Sequence, residues 1–372
     1  MLKSSKIYQG INGNIIIPGD KSISHRSIII PSISQGISEI SNLLISEDVK
    51  HTLNAFRLMG VEIKNEGNLT IINGKGLNSL KKPNKDIYLG NSGTSARLLT
   101  GLLSSQNFES VITGDKSLSK RPMKRITDPL SKMNGRFRSK SDTLPLTIFG
   151  HSLKNIHYNI TIPSAQIKSG LILAALNTKG KTKIVEDNIT RNHTEIMLKS
   201  FEAEILTEKV DQKSSITIIG QKELTAKNIS VPSDLSSAAF FIVAALINEN
   251  SKIILSEINI NPTRDGILKA LKKMGGNIKI YNKKLVNEEL IADIEVQSSK
   301  LNGCKLDEDL AKLMIDEYPI LAVAASFANS PSEFKGLKEL RVKESDRLEL
   351  IRLNLDRCGI DCKIFEDNLL IN

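Results

Sequence analysis

The sequence predicts a mixed α/β (α+β) chain built from repeats of one supersecondary unit. Three observations carry that expectation. A hairpin signature recurs five times, helical apolar spacing fills the stretches between, and two similar strand-to-helix junctions punctuate the chain.

Each hairpin signature runs from a helix end through a small or turn residue into a strand, a turn and a second strand. The five start at Met59-Gly60-Val61, Met133-Asn134-Gly135, Phe201-Glu202-Ala203, Met274-Gly275-Gly276 and Cys358-Gly359-Ile360. The first continues through the turn Asn65 to Asn68 into the strand Leu69 to Ile72, and the last through Glu366 to Asn368 into Leu369 to Ile371. They lie roughly 70 to 85 residues apart, longer than a solenoid repeat and enough for two helices and about four strands each. Residues 47–58, 236–247 and 346–355 read as helices with apolar residues at helical spacing. The junctions Ile17-Pro18-Gly19-Asp20 and Val231-Pro232-Ser233-Asp234 are natural crossing points between domains.

The chain has 372 residues, 25% charged and 40% hydrophobic, an ordinary globular composition whose length suggests two domains. Apolar runs such as Ala238 to Ile247 are too short to cross a bilayer. The start MLKSSKIYQGINGN lacks an apolar signal core and an Arg-rich transit pattern, so a cytoplasmic location is expected. Three cysteines without a CxxC pair read as reduced structural thiols. Five histidines without an HExxH pattern give no dedicated metal site. The net charge of +10 could serve nucleic acid or small anions. Aromatics are 4%, Trp is absent and no Lys/Arg run exceeds two residues, so small anions are the better reading.

Six segments place polar and charged residues where a strand meets a helix. A helix start exposes unpaired N–H groups and the positive end of the dipole, which favours an anion. In IIIPGDKSISHRSIII the strand Ile15 to Ile17 leads to Lys21 and Ser22 at the helix start, with Arg26 one turn on. An ammonium, a hydroxyl and a guanidinium on one face suit a phosphate or carboxylate, and His25 reads as structural. In YLGNSGTSARLLTGLL, Asn91 to Thr94 form a small-residue turn in which Gly93 lets a ligand approach the backbone. TGDKSLSKRPMKRI gathers Lys120, Arg121, Lys124 and Arg125. ITIPSAQIKSGLILAAL offers Ser164 and Gln166 to a hydroxylated ligand, and Lys168 as charge. MIDEYPILAVAASFA puts Asp316 and Glu317 at the mouth of an apolar helix, where a carboxylate is a general-base candidate. ELRVKESDRLELIR places Lys343, Glu344 and Arg347 at helical spacing. Capping, a solvated basic loop or surface ion pairing would each give the same local pattern. Together the segments describe a site for two anionic substrates with acid–base chemistry between them.

At this point the sequence resembles the EPSP synthases (3-phosphoshikimate 1-carboxyvinyltransferases). Pro18 to Arg26 looks like the family's N-terminal signature, Leu89 to Thr94 its second, and Leu340 to Arg347 its late one. Thr113 to Met123, Pro163 to Ser169, Thr190 to Leu198, Val231 to Phe240 and Ile315 to Ala325 match in order, from about Ile7 to the last residue. SLSKRPM and MIDEYPILAVAA look closest to the class II, bacterial-type members.

The resemblance implies the two-lobed enolpyruvyl transferase fold of βαβαββ units, with the active site in the cleft between lobes that close on the substrates. It assigns residues 1–20 with 232–372 to the first lobe and 21–231 to the second. It implies transfer of the enolpyruvyl group of phosphoenolpyruvate to the 5-hydroxyl of shikimate 3-phosphate. Lys21, Ser22, Arg26, Ser164, Gln166 and Lys343 match shikimate 3-phosphate contacts, and Lys21 and Gln166 also reach phosphoenolpyruvate. Gly93, Arg121 and Arg347 match the phosphoenolpyruvate site, and Asn91 and Ala165 match substrate-binding positions. Asp316 matches the base on the 5-hydroxyl and Glu344 a proton-transfer group, with Lys21 as the third catalytic residue. No metal or organic cofactor, nucleic acid or membrane is implied, and a monomer is expected. A small residue at Gly93 implies sensitivity to glyphosate.

The family pattern continues into a sixth unit with an Asp-His-Arg motif and a later Lys. No Asp-His-Arg occurs in this sequence, so five of six units are expected, with the first lobe incomplete and exposing surface. An inactive, truncated remnant that binds phosphorylated ligands is therefore the second reading. The sister transferase acting on a UDP-amino sugar uses a loop cysteine, and Asp115 to Pro122 has none.

Overall fold

The computed structural model describes residues 9–210 and 213–372; the reading of the first eight residues as free of a leader lies outside the described residues. The chain divides into two compact units at the Pro18-Gly19 and Val231-Pro232 junctions. One unit is the continuous stretch Gly19–Val231, and the other joins the segment ending at Pro18 to Pro232–Asn372.

The continuous unit carries helices α1 (Lys21–Ser32), α2 (Glu47–Leu58), α3 (Gly93–Ser104), α4 (Lys124–Lys132), α5 (Ala165–Leu176) and α6 (His193–Ser200). Its strands form three four-stranded sheets on one plan. A short edge strand lies parallel to a long one, and the long strand's other side takes an antiparallel hairpin. Gln35–Ser41 and the hairpin Glu62–Glu66/Leu69–Lys75 make the first sheet. Along Leu69–Lys75 alternate residues Thr70, Ile72 and Gly74 are buried, the period-two pattern of a sheet with one core face. The other hairpins, Arg136–Ser139/Leu146–Phe149 and Ile205–Val210/Lys213–Ile219, fall where the signatures predict.

Helices α3 and α5 are largely apolar or small and almost wholly buried, and α1 is as deeply buried although it carries Lys21, His25 and Arg26. The α3–α5 crossing is very close. A Cβ on Gly101 would lie 2.0 Å from the Gly170 carbonyl oxygen, so only glycine permits that approach.

The split unit carries α7 (Leu235–Ile247), α8 (Gly266–Lys273), α9 (Glu308–Lys312), α10 (Tyr318–Ser326) and α11 (Arg347–Arg357). Its described strands form two sheets on the same plan, containing the hairpins Asn277–Val286/Glu289–Gln297 and Cys362–Phe365/Asn368–Ile371. The five hairpin signatures are thus five sheets. Helix α7 is apolar all round, yet Phe240 and Phe241 are exposed.

Two edge strands are exchanged relative to sequence order. Asn12–Ile15 precedes the first repeat but pairs in parallel with Lys252–Asn259 of the fourth sheet. Ile229–Ser230 precedes the fourth repeat but pairs with Ile40 and Ser41 of the first sheet. The strand expected at Ile15 to Ile17 is corrected to Asn12–Ile15. Its ladder stops at Ile15, Ile16 is exposed, and Pro18 has no N–H to extend it.

Candidate active site

In the continuous unit, Asp20 Oδ1 accepts from Ile23 N at 2.8 Å and so starts α1 at Lys21. The Lys21 ammonium, half exposed at that start, pairs with the Asp48 carboxylate. Ser22 follows it, half-buried. Arg26 turns inward. Its Nη1 donates to Ser22 O at 2.8 Å, Nε to Thr194 Oγ1 at 2.7 Å and Nη2 to Ser169 Oγ at 2.8 Å. One guanidinium therefore braces α1, α5 and α6 together, with the planar fork matching fixed acceptors.

His25 is fully buried between α1, α2 and α3. Its Nδ1 lies 2.8 Å from Thr52 Oγ1, which lies 2.6 Å from Ser95 Oγ, itself 2.7 Å from Ser92 Oγ. Burial, helped by the nearby Lys21 charge, lowers the imidazole from 6.5 to about 3, so it stays neutral. The structural reading of His25 matches this geometry.

Ser92 Oγ accepts from Ser95 N at 3.2 Å and caps α3, whose first residue is Gly93. Arg97 Nη1 donates to Gly93 O at 3.0 Å and Nη2 to Pro122 O at 3.3 Å. Arg121 Nη2 donates to Asn91 Oδ1 at 2.5 Å. A Cβ on Gly93 would lie 2.8 Å from Arg97 Nη1 and 2.9 Å from Arg121 Nη1. Ser164 Oγ caps α5 through Ile167 N, and Gln166 Nε2 donates to Thr94 Oγ1 at 3.1 Å. The starts of α3 and α5, with Gly93, Thr94, Ala165 and Gln166, are side by side, and Arg121 stands beside Asn91. Two positive helix ends with cationic side chains favour an anion there. Lys124 and Arg125 open α4, and Lys124 faces Asp142 at 3.8 Å.

Lys168 is a correction. The sequence offered its charge to a ligand, but the ammonium is completely buried, 2.8 Å from both Glu186 Oε1 and Glu195 Oε1 and 3.1 Å from Thr190 O. Position 168 falls on the inner side of α5, where a lysine is tolerated only when paired.

In the split unit, Asp316 and Glu317 precede α10. Asp316 Oδ1 lies 3.3 Å from Arg347 Nη1 and 3.5 Å from Lys343 Nζ, and Arg347 Nη2 donates to Glu344 Oε2 at 2.6 Å. Lys343, Glu344, Arg347 and Asp316 are therefore one cluster. Helical spacing does not create it. Helix α11 begins only at Arg347, because Asp346 Oδ1 caps it through Glu349 N at 3.0 Å; Lys343 and Glu344 lie on the preceding turn. Glu317 is buried, where Oε1 meets Ser236 Oγ and lies near Arg264.

Sequence reasoning did not single out Asp48, Arg97, Ser169, Thr194 or Arg264. Arg97 had a usable signal, one helical turn after Gly93 on the same face. The others become partners only through the fold.

The fold has two units, and each presents clustered charged groups suited to small anionic ligands. A family model described as EPSP synthase (3-phosphoshikimate 1-carboxyvinyltransferase) matches residues 6–372. The 3-phosphoshikimate 1-carboxyvinyltransferase of Hydrogenovibrio crunogenus is 47% identical over 367 residues, covering 97% of this chain and 82% of the relative. That of Petrotoga mobilis is 46% identical over 364 residues, covering 96% and 83%. A solved EPSP synthase from Acinetobacter baumannii superposes with a TM-score of 0.87 at 43% identity, covering 98% of this chain and 82% of its own.

The chain belongs to the EPSP synthase family. It is an enzyme of the shikimate pathway to chorismate and the aromatic amino acids. It transfers the enolpyruvyl group of phosphoenolpyruvate to the 5-hydroxyl of shikimate 3-phosphate, releasing phosphate. The remnant reading is not favoured, since 47% identity extends over 97% of the chain.

Proposed function

We propose that the helix starts of the continuous unit and the Asp316 cluster of the split unit serve this one reaction. Shikimate 3-phosphate is held by Lys21, Ser22, Arg26, Ser164, Ala165, Gln166 and Lys343. Phosphoenolpyruvate is held by Asn91, Gly93, Arg121 and Arg347, with Lys21 and Gln166 reaching both substrates. Asp316 takes the proton of the 5-hydroxyl, whose oxygen attacks C2 of the enol. Glu344, with Lys21, supplies the proton to C3. The tetrahedral intermediate then expels phosphate while its C3 methyl gives a proton back to Glu344, leaving the enol ether, and the cations offset the charge on the leaving group. The observation that carries this reading is the Asp316 cluster, a carboxylate set among Lys343, Arg347 and Glu344. Such a carboxylate can exchange a proton while cations hold the anionic substrates.

We read the protein as a cytoplasmic monomer working without metal or organic cofactor. Sedimentation at two concentrations tests the monomer. Phosphate release from phosphoenolpyruvate, with and without shikimate 3-phosphate, tests the chemistry on this 372-residue chain. Release that requires both substrates and is lost in Asp316→Asn is the expected result. Release unchanged in Asp316→Asn overturns the assignment of the base.

A further inference from the structure

We infer that Glu317, Ser236 and Arg264 form a positioning relay that fixes Asp316 in place; this rests on the reading of Asp316 as the base. Glu317 is the residue just before α10, yet its side chain makes no capping bond to that helix. It is instead buried, where Oε1 accepts from Ser236 Oγ of α7 and lies 3.8 Å from Arg264 Nη2. Ser236 Oγ also accepts from Arg264 Nη2 at 2.7 Å, so the hydroxyl's own proton is directed to Glu317. Arg264 Nη2 is fixed in turn by Asp234 Oδ1 at 3.0 Å, the carboxylate that caps α7.

The consequence falls on the neighbouring residue. Glu317 N donates to Met314 O at 2.9 Å and Glu317 O accepts from Leu321 N at 3.0 Å. With side chain and backbone both held, the peptide joining 316 to 317 has little freedom. Asp316 Oδ1 also lies 3.5 Å from Lys343 Nζ and 3.3 Å from Arg347 Nη1, so the anchored peptide and these cations together set its direction. The buried carboxylate supplies the rigidity, and the half-exposed one beside it does the proton transfer. Misplacement of a reacting group by about 1 Å can cost as much as a hundredfold in rate.

The test compares Ser236→Ala, Ser236→Thr and Glu317→Gln by steady-state kinetics, alone and on an Asp316→Asn background, with folding checked by thermal denaturation. Ser236→Ala and Glu317→Gln should each lower kcat about tenfold with KM for both substrates within about twofold. Ser236→Thr, which keeps the hydroxyl, should restore the rate. On the Asp316→Asn background neither change should lower the residual rate further, because residues acting as a unit are non-additive. If one variant fails to fold, the other decides. Unchanged kcat in a folded variant, or a tenfold loss added on top of Asp316→Asn, overturns the relay. An Asp316→Asn enzyme as fast as the parent overturns the base assignment instead, so the two failures are separable.

Discussion

Gln166 Nε2 donates to Thr94 Oγ1 across 3.1 Å, a bond between the second residues of two helices 72 positions apart in the chain. It sets the distance between two positive helix ends and leaves the Gln166 amide oxygen pointing in a defined direction. Thr94→Val keeps the side-chain shape and removes the acceptor. A net loss of about 1 kcal/mol, or roughly fivefold in KM for phosphoenolpyruvate, is expected. Steady-state kinetics at saturating shikimate 3-phosphate measures it, and an unchanged KM would show that the bond does not orient Gln166.

Gly93→Ala brings a methyl group to 2.8 and 2.9 Å from the two guanidinium nitrogens of Arg97 and Arg121. Arg97 is held by the Gly93 and Pro122 carbonyls and Arg121 by Asn91, so the methyl group disturbs a braced pair of guanidinium groups. The variant should fold normally, bind phosphoenolpyruvate about tenfold more weakly, and be inhibited by glyphosate far less than the parent. Inhibition curves for the two proteins, run side by side, decide; coincident curves refute the expectation.

Lys168→Met leaves Glu186 and Glu195 facing one another without the ammonium that both contact at 2.8 Å. Removing one partner of a buried pair costs about 3–5 kcal/mol. The urea midpoint should fall accordingly, with the m-value unchanged. A ligand contact would behave in the opposite way, raising KM while leaving the midpoint where it was.

His25 makes stability depend on pH with a definite sign. The folded imidazole remains neutral down to about 3, whereas an unfolded one takes a proton near 6.5. Between those values the unfolded chain binds more protons, so this contribution is complete above about 6.5 and is lost as pH falls toward 3. The slope is at most about 1.4 kcal/mol per pH unit. Denaturation of the parent and of His25→Gln at pH 7 and pH 5 isolates it. The parent should lose more stability than the variant on acidification, and equal losses would contradict the buried, neutral assignment.

Much of this architecture was legible because its signals are local. Asp20 and Ser92 sit one residue before α1 and α3, and a short polar side chain at that position announces a helix start. Glycine or asparagine marked four of the five hairpins in the same way, and Glu202-Ala203 stands at that place in the other. The same local evidence at Asp346, an acidic cap followed three residues later by Glu349, agrees with a helix read from 346 and conflicts with setting Lys343 and Glu344 at helical spacing to Arg347. Lys168 shows where local evidence ends. Its spacing on α5 does not reveal that Glu186 and Glu195 arrive from a strand and another helix. Arg26 and Thr194, 168 positions apart, meet only because α1 and α6 pack together.

The strand Asn12–Ile15 also carries a consequence for how the molecule is made. Its partner begins at Lys252, 240 residues further along. At translation rates of ~5–20 residues per second, that interval is roughly 10–50 s. During it the whole of Gly19–Val231 has been synthesised and can collapse on its own internal contacts. The first of the described strands is thus among the last to be ordered, and its early neighbours must fold without drawing it into their own sheets.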